Sequence, residues 1–472
     1  MSAASVTRVT GAVARHELRA FLRDGRILGA VALFVVLLGL ALSSGARVAR
    51  DYERVRAHAQ AESHEQWLTQ GEKNPHSAAH FGVYAFRPLG ALGLFEPGVH
   101  AFEGTSVYLE AHKANDLRDA PAADASSLAR LGGSSAAALL RTLLPLVLFM
   151  LAAPAIAGER ERGTLKLLLA QGVSLRTLFW GKALALGVLL AGFLGVIVVL
   201  VRFFASFESF ALDPVRTAWV LLGYGLYGLV LLGIGLSVSA SAKGTRSALV
   251  SLLAIWSLLF LAAPRLAAYL TDAAAPLPLA STAHAALERD LDEEGYSGRM
   301  AELRAKTLAR YSVAREEDLP IDLRGLSLQT DEERDQVIYQ RHRDDLRAQF
   351  AAQDAWLDRA SVAVVWLALE RWSAALAGTD RRHVDDFADA AERHRQELVR
   401  RMNTFLMEHK GQKTADRALW GEVPPFGYAP PPPAFALSYA WGALVILLVW
   451  CAGTVACAEL VVRRRSRMEL ET

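Results

Sequence analysis

Cysteine is nearly absent from this chain. Its 472 residues include two, Cys451 and Cys457. Both fall in a late apolar run, so neither a disulfide framework nor a cysteine-built zinc site is supported. Charge imbalance is missing too: 51 Lys and Arg stand against 49 Asp and Glu, a formal +2, and no global field points to nucleic acid. No G-x-x-x-x-G-K-[ST] occurs. Gly158 to Lys166 holds a Gly and a Lys without that motif's glycine spacing or preceding strand, so no loop of this kind cradles a phosphate. H-E-x-x-H and G-x-S-x-G are absent as well. Ser, His and Asp are plentiful in the polar parts but show no triad spacing. The sequence therefore assigns no catalytic residue, no metal ligand and no directly bound cofactor, and any energy input must come from another chain.

What is present is apolar surface in long runs. Hydrophobic residues make up 53% and charged residues 21% of the chain, with a mean hydropathy of +0.22. That is too apolar for a soluble enzyme and too charged for a bare bundle of spans. Six runs are long enough to cross a bilayer, at 27–46, 136–157, 183–201, 217–240, 247–264 and 435–460. The expected fold is an all-α integral membrane protein of six transmembrane helices, with two large, mainly helical extracytoplasmic insertions at 47–135 and 271–434. Residues 1–26 interleave Arg15, Arg19, Arg23 and Arg26 with Leu18, Phe21 and Leu22. This reads as an amphipathic elbow helix on the inner surface. The alternative, a signal-peptide n-region, is opposed by the 19 uncharged residues that follow, with no compelling cleavage site. Residues 461–472 form a basic cytoplasmic tail.

In the first insertion, 47–70 reads as a helical continuation of the first span. His80 to Gly104 is rich in aromatics, Gly and Pro, which suits an ordered loop against the bilayer interface. Glu103 to His112 has strand character. Six of the twelve histidines fall between 58 and 112. Only His76 and His80 have a ligand-like spacing, and only if Pro75 starts a helix; the group reads as solvated or packed. In the second insertion, apolar spacing and dense charge predict helices near 281–310, 330–354 and 380–410. Ala360 to Ala377 contains Glu370 and Arg371 and is read as a core or interfacial helix, since that pair is costly in mid-bilayer. Arg141, near the outer end of the second span, is expected to snorkel to the interface. The glycines of the fourth span (Gly223, Gly225, Gly228, Gly233 and Gly235) suit close helix packing.

The segment 158–182, GERERGTLKLLLAQGVSLRTLFWGK, joins the second and third spans. Five cations (Arg160, Arg162, Lys166, Arg176 and Lys182) against Glu159 and Glu161 place it in the cytoplasm by the positive-inside bias, which defines a 136–270 region of four spans around it. A short amphipathic helix begins at Thr164, entered through Gly163, and Gly172 to Ser174 breaks it. The pattern G-E-x-x-x-G-T-L-x-x-L-L, then x-S-x-R and G-K, resembles the permease subunits of type 2 ABC transporters, mostly exporters. The stretch 374–403 resembles a signature of a permease subfamily defined only by a domain of unknown function.

The resemblance implies that this loop carries a coupling helix docked on a separate ABC ATPase dimer, which uses the ATP. It implies that role for Glu159, Gly163, Thr164, Leu165 and Arg176. It further implies a second permease half, identical or related, a setting of membrane lipid in the bacterial inner membrane, and both termini in the cytoplasm. Against it stands the reading that the charges only enforce topology. A non-transporting scaffold or sensor, whose extracytoplasmic helices bind a partner, and an intramembrane or extracytoplasmic enzyme are the competing functions.

Overall fold

A computed structural model describes residues 3–100, 102–117, 135–207, 211–292 and 296–471. The stretch 118–134 of the first insertion lies outside the described residues. The chain begins with α1 (Ala3–Phe21), and a short turn leads into α2 (Gly25–Leu68). At 1.5 Å per residue, the 44 residues of α2 reach about 66 Å, more than twice a hydrocarbon core of about 30 Å. The first span therefore continues, as one helix, well beyond the membrane.

The other spans are α4 (Ala136–Glu161), α6 (Leu175–Phe207), α7 (Pro214–Ser241), α8 (Thr245–Ala274, with a π-helical turn at Leu258–Ala262) and α15 (Pro433–Glu471). Six described helices are thus long and apolar enough to cross a membrane. In α4 and α7, 61% of the apolar window is buried, against 17–33% in the other four. Those two form the centre and the rest surround them. Leu33, Val36, Val188, Val199, Leu253 and Val449 stay exposed on the outer helices, as lipid-facing residues do. Glycine lets the helices approach: a Cβ on Gly235 would stand 2.7 Å from that of Ala152, and one on Gly223 would stand 2.4 Å from the Trp372 ring.

The two insertions form one head rather than two. The first contributes the end of α2, α3 (Pro75–Phe81) and a three-stranded antiparallel sheet of β1 (Val83–Phe86), β2 (Ser106–Glu110) and β3 (Lys113–Ala114). The second contributes α9 (Ala280–Asp292), α10 (Tyr296–Tyr311), α11 (Leu323–Ala363), α12 (Val365–Ala377), α13 (Arg381–Glu408) and α14 (Arg417–Trp420). Trp67, Val83 and Leu109 from the first share a core with Phe387, Leu398, Met402 and Trp420 from the second. The indoles lock this arrangement, because Trp67 Nε1 donates to the Trp420 carbonyl (2.9 Å) and Trp420 Nε1 to that of Gly71 (3.1 Å).

Two details differ from the sequence reading. Arg141 does not snorkel: it is buried, pairs with Glu96 and lies 3.5 Å from Glu370. A buried guanidinium needs such partners, and this pair staples the head to α4. The loop at 80–104 does not simply coat an interface. Its strand β1 joins the head, and Leu92, Leu94 and Phe95 enter the bundle's core. Gly45 makes room for it, since a Cβ there would meet the Leu94 carbonyl at 2.3 Å. As the sequence reading expected of a core helix, α12 packs into the bundle's outer end, with Trp372 fully buried and its Nε1 donating to Trp219 O at 2.8 Å.

His100 in the head gives a pH test. Its ring stands edge-on to Tyr52, centroids 4.8 Å apart, and is buried. Burial, then the nearby Arg87 charge, holds its pKa down at about 3. The unfolded chain, with an ordinary pKa of about 6.5, takes up this proton first, so His100 contributes stability that is full above pH 6.5 and falls as pH drops toward 3. Melting curves between pH 4 and 7.5 should show His100→Phe losing less stability in acid than the parent chain.

Candidate functional site

The loop after α4 is built on a glycine. Gly163 has φ +76, a conformation that side chains disfavour, and it turns the chain into α5 (Thr164–Ala170). Thr164 closes the turn. Its hydroxyl reaches the Glu159 carbonyl at 3.1 Å and the Glu159 carboxylate. Leu165 then plunges inward and is 1% exposed, while Lys166 is exposed and Leu167 is 64% exposed. Gly172, at φ +85, reverses the chain again, and the Ser174 hydroxyl accepts from Thr177 N (3.1 Å) at the start of α6. The short helix therefore docks on the membrane helices through the buried Leu165, with Leu168 and Leu169 half-buried beside it, and shows a mixed basic and apolar outer face.

Neighbouring helices fix the two ends of this loop. Lys182 of α6 is 3% exposed and donates to Glu159 (3.0 Å) and to Glu17 of α1 (2.8 Å). Contact there is close: a Cβ on Gly181 would fall 2.7 Å from Val13. Arg160 donates to the carbonyls of Ala240 (3.0 Å) and Ala242 (2.5 Å) at the end of α7. Glu161 accepts from Thr245 N at 3.0 Å, holding the start of α8. Ser239 donates to Ala153 O (2.7 Å) and accepts from Ile156 N (3.0 Å), so α7 also grips α4 beyond Pro154. Glu459 of α15 accepts from Arg176 Nε (3.0 Å) and Trp180 Nε1 (2.7 Å).

Glu159, Gly163, Thr164 and Leu165 thus come together in one turn. Arg176 is placed apart from them, with its side chain 64% exposed and paired to Glu459. Three contributors escaped the sequence reading: Glu17, the ion-pairing role of Lys182, and Glu459. Each carried a signal. Lys182 interrupts an apolar run, Glu17 is an acid within the basic α1, and Glu459 is the acid within the last apolar run. Isolated charges at a membrane edge call for partners.

Two other places draw attention. A cavity of about 400 Å³ lies where the head meets the bundle, lined by Arg87, Arg216, His383, Tyr428 and Pro430 to Pro433. Arg216 is already engaged with the carbonyls of Leu376 (2.8 Å) and Pro431 (2.5 Å). In the head, His76, His80 and His112 are, among the described residues, a group with spacing able to hold a metal ion.

Comparison with known proteins matches two consecutive parts of the chain. Residues 118–262 match the model of the ABC-2 family transporter protein. Residues 281–429 match that of a domain of unknown function (DUF3526). A relative in Pseudomonas aeruginosa, the probable ABC transporter permease protein NosY, is 35% identical over 132 residues. That match covers 26% of this chain and 46% of the relative, so the chain spans less than half the length of the curated relative it matches.

Proposed function

We propose that the chain is an ABC-2 permease with an extra domain, a multi-pass membrane protein, and that it serves as the membrane-spanning subunit of an ATP-driven exporter. The loop 158–182 receives the stroke of a separate ATPase dimer. One observation carries this reading: the two ends of the loop, Arg160 and Glu161 at the close of α4 and Arg176 and Lys182 in α6, are tied to α1, α7, α8 and α15, while Lys166 and Leu167 of the intervening α5 face outward. A push on α5 passes through these two ends to the surrounding helices. Ligand binding shifts a two-state protein only through differential affinity; here the ATPase closed on ATP would hold one arrangement of this braced end better than the other.

Sidedness follows from charge. Arg160, Arg162 and Lys166 of the loop, Lys243 and Arg246 of the α7–α8 turn, and Arg463, Arg464 and Arg465 of the tail gather at one end of the bundle. That end is cytoplasmic by the positive-inside bias, with both termini, and the head is extracytoplasmic in the bacterial inner membrane. Six spans make half a transporter, so a second permease half, identical or related, completes it within membrane lipid. The chain binds no cofactor itself; ATP belongs to the partner.

Leu167→Glu tests the contact. The residue is exposed, so the fold is expected to survive. Co-purification with a partner ABC ATPase subunit should fall at least tenfold, and ATPase stimulation in nanodiscs should disappear. Equal retention by the variant rejects α5 as the docking element. A cysteine replacing Lys166, in a chain without Cys451 and Cys457, should react with an impermeant thiol reagent only after the cells are opened. Labelling of intact cells reverses the topology.

A further inference from the structure

The head holds a cluster that transport coupling leaves unused. Asn74 caps α3, its Oδ1 accepting from His76 N at 3.0 Å, and Pro75 follows as the first helical residue. The helix starts where it must for His76 and His80 to stand one turn apart on one face. Their rings lie 4.8 Å apart, centroid to centroid. The third imidazole comes from a hairpin. Glu110 pairs with Lys113 across β2 and β3, leaving Ala111 and His112 as the turn. His112 sits at φ +64, a conformation uncommon outside glycine. A carboxylate holds it there, since Glu332 accepts from His112 N at 2.9 Å.

The resulting geometry is that of a ligand set. His112 Nε2 stands 3.1 Å from His76 Nε2, and one donor atom from each of the three rings lies within 4.8 Å of the others. An ion with metal–nitrogen distances of about 2.0–2.1 Å in tetrahedral geometry keeps its ligand nitrogens about 3.3 Å apart. The far side of two rings is already held. His76 Nδ1 meets Asn403 Oδ1 at 3.2 Å, and His112 Nδ1 meets Glu332 at 3.4 Å. Such outer partners fix the tautomer and point Nε2 inward. Glu332 is gripped in turn by the buried Arg395. Imidazole nitrogen without oxygen donors favours zinc or copper over calcium or magnesium.

We propose that His76, His80 and His112 bind a divalent transition-metal ion, Zn²⁺ or Cu²⁺, through three imidazole nitrogens. His80 is exposed, so the fourth coordination position opens to solvent and accepts water or an incoming ligand. Packing alone is the competing account: two neutral rings sharing one hydrogen bond. The proposal stands apart from the coupling role of 158–182, and its test needs no ATPase.

The full-length chain, with its tag removed, is stripped with EDTA in nanodiscs and dialysed against buffered Zn²⁺ or Cu²⁺. Elemental analysis should find one equivalent of either ion per chain, and the bound ion should raise the melting temperature. His80→Ala removes a ligand from the surface and leaves the head core untouched. It should melt like the parent in EDTA and bind at least tenfold more weakly. His76→Ala with His80→Ala should abolish binding. Failure of the parent chain to bind either ion overturns the proposal. So does equal binding by His80→Ala, or equal binding of Mg²⁺.

Discussion

An Arg395→Met chain is expected to lose its head while keeping its membrane bundle. Arg395 is 1% exposed. Its guanidinium binds Glu332, takes Glu392 at 3.0 and 2.9 Å, and caps the Glu110 carbonyl at 3.1 Å. Burial alone would lower the arginine's pKa; the two carboxylates overcome that and raise it, while the Glu392 carboxyl is held below its ordinary value. Methionine fills much of the same space but strands both carboxylates. Removing one partner from such a buried network costs about 3–5 kcal/mol, a large share of a domain's stability. Limited proteolysis should therefore cut within 296–363 and 381–408 in the variant and spare the six spans. Adding Glu332→Gln and Glu392→Gln should recover most of the loss, because neutral amides tolerate the missing cation. If the triple variant is as labile as the single one, lost shape rather than stranded charge is responsible. If Arg395→Met resists protease like the parent, the network contributes nothing to the head.

Much of this architecture was open to sequence reading because it is written locally. Long apolar runs mark the six spans, and 3.6-residue periodicity marks the head helices without reference to any other part of the chain. The turn at Gly163 and the start of α3 at Pro75 are likewise local, set by a backbone preference and a missing N–H. Everything that joins distant residues was hidden. Trp67 and Trp420 are 353 positions apart, and nothing in either neighbourhood announces the other. Glu17 meets Lys182 across 165 positions, and Arg141 meets Glu96 across 45. The histidine cluster shows the limit most clearly. Its i,i+4 pair was legible, but His112 joins them only through a two-residue hairpin between strands of five and two residues, too short to register in a periodicity. A single chain carries charges in plain sight and conceals their partners.

On the coupling role proposed for 158–182, Lys182→Met should uncouple the subunit. The ammonium bridges Glu17 of α1 and Glu159 of the turn at Gly163, whose side chains are 13% and 16% exposed, while Glu159 also lies 3.4 Å from Arg162. Without it, Glu17 loses its cation, Glu159 keeps only the exposed Arg162, and the cost approaches the lower end of the roughly 3–5 kcal/mol expected for a broken buried pair. The turn then loses its tie to α1 and Thr164 loses a fixed acceptor. The expected result is a protease-sensitive site at the 22–24 turn, a lower melting temperature, and ATPase stimulation reduced at least tenfold. Lys182→Arg keeps the charge and should retain coupling in part, since a planar fork replaces a point charge. The informative comparison is the neutral triple variant, Glu17→Gln with Glu159→Gln and Lys182→Met. It should fold and melt near the parent. If it also couples, the cluster serves only to hold α5 in place. If it folds and stays uncoupled, the charges take part in the stroke, because the switching end of the bundle then needs an ion pair that can re-form in a second arrangement. A Lys182→Met chain that couples like the parent removes the cluster from the mechanism.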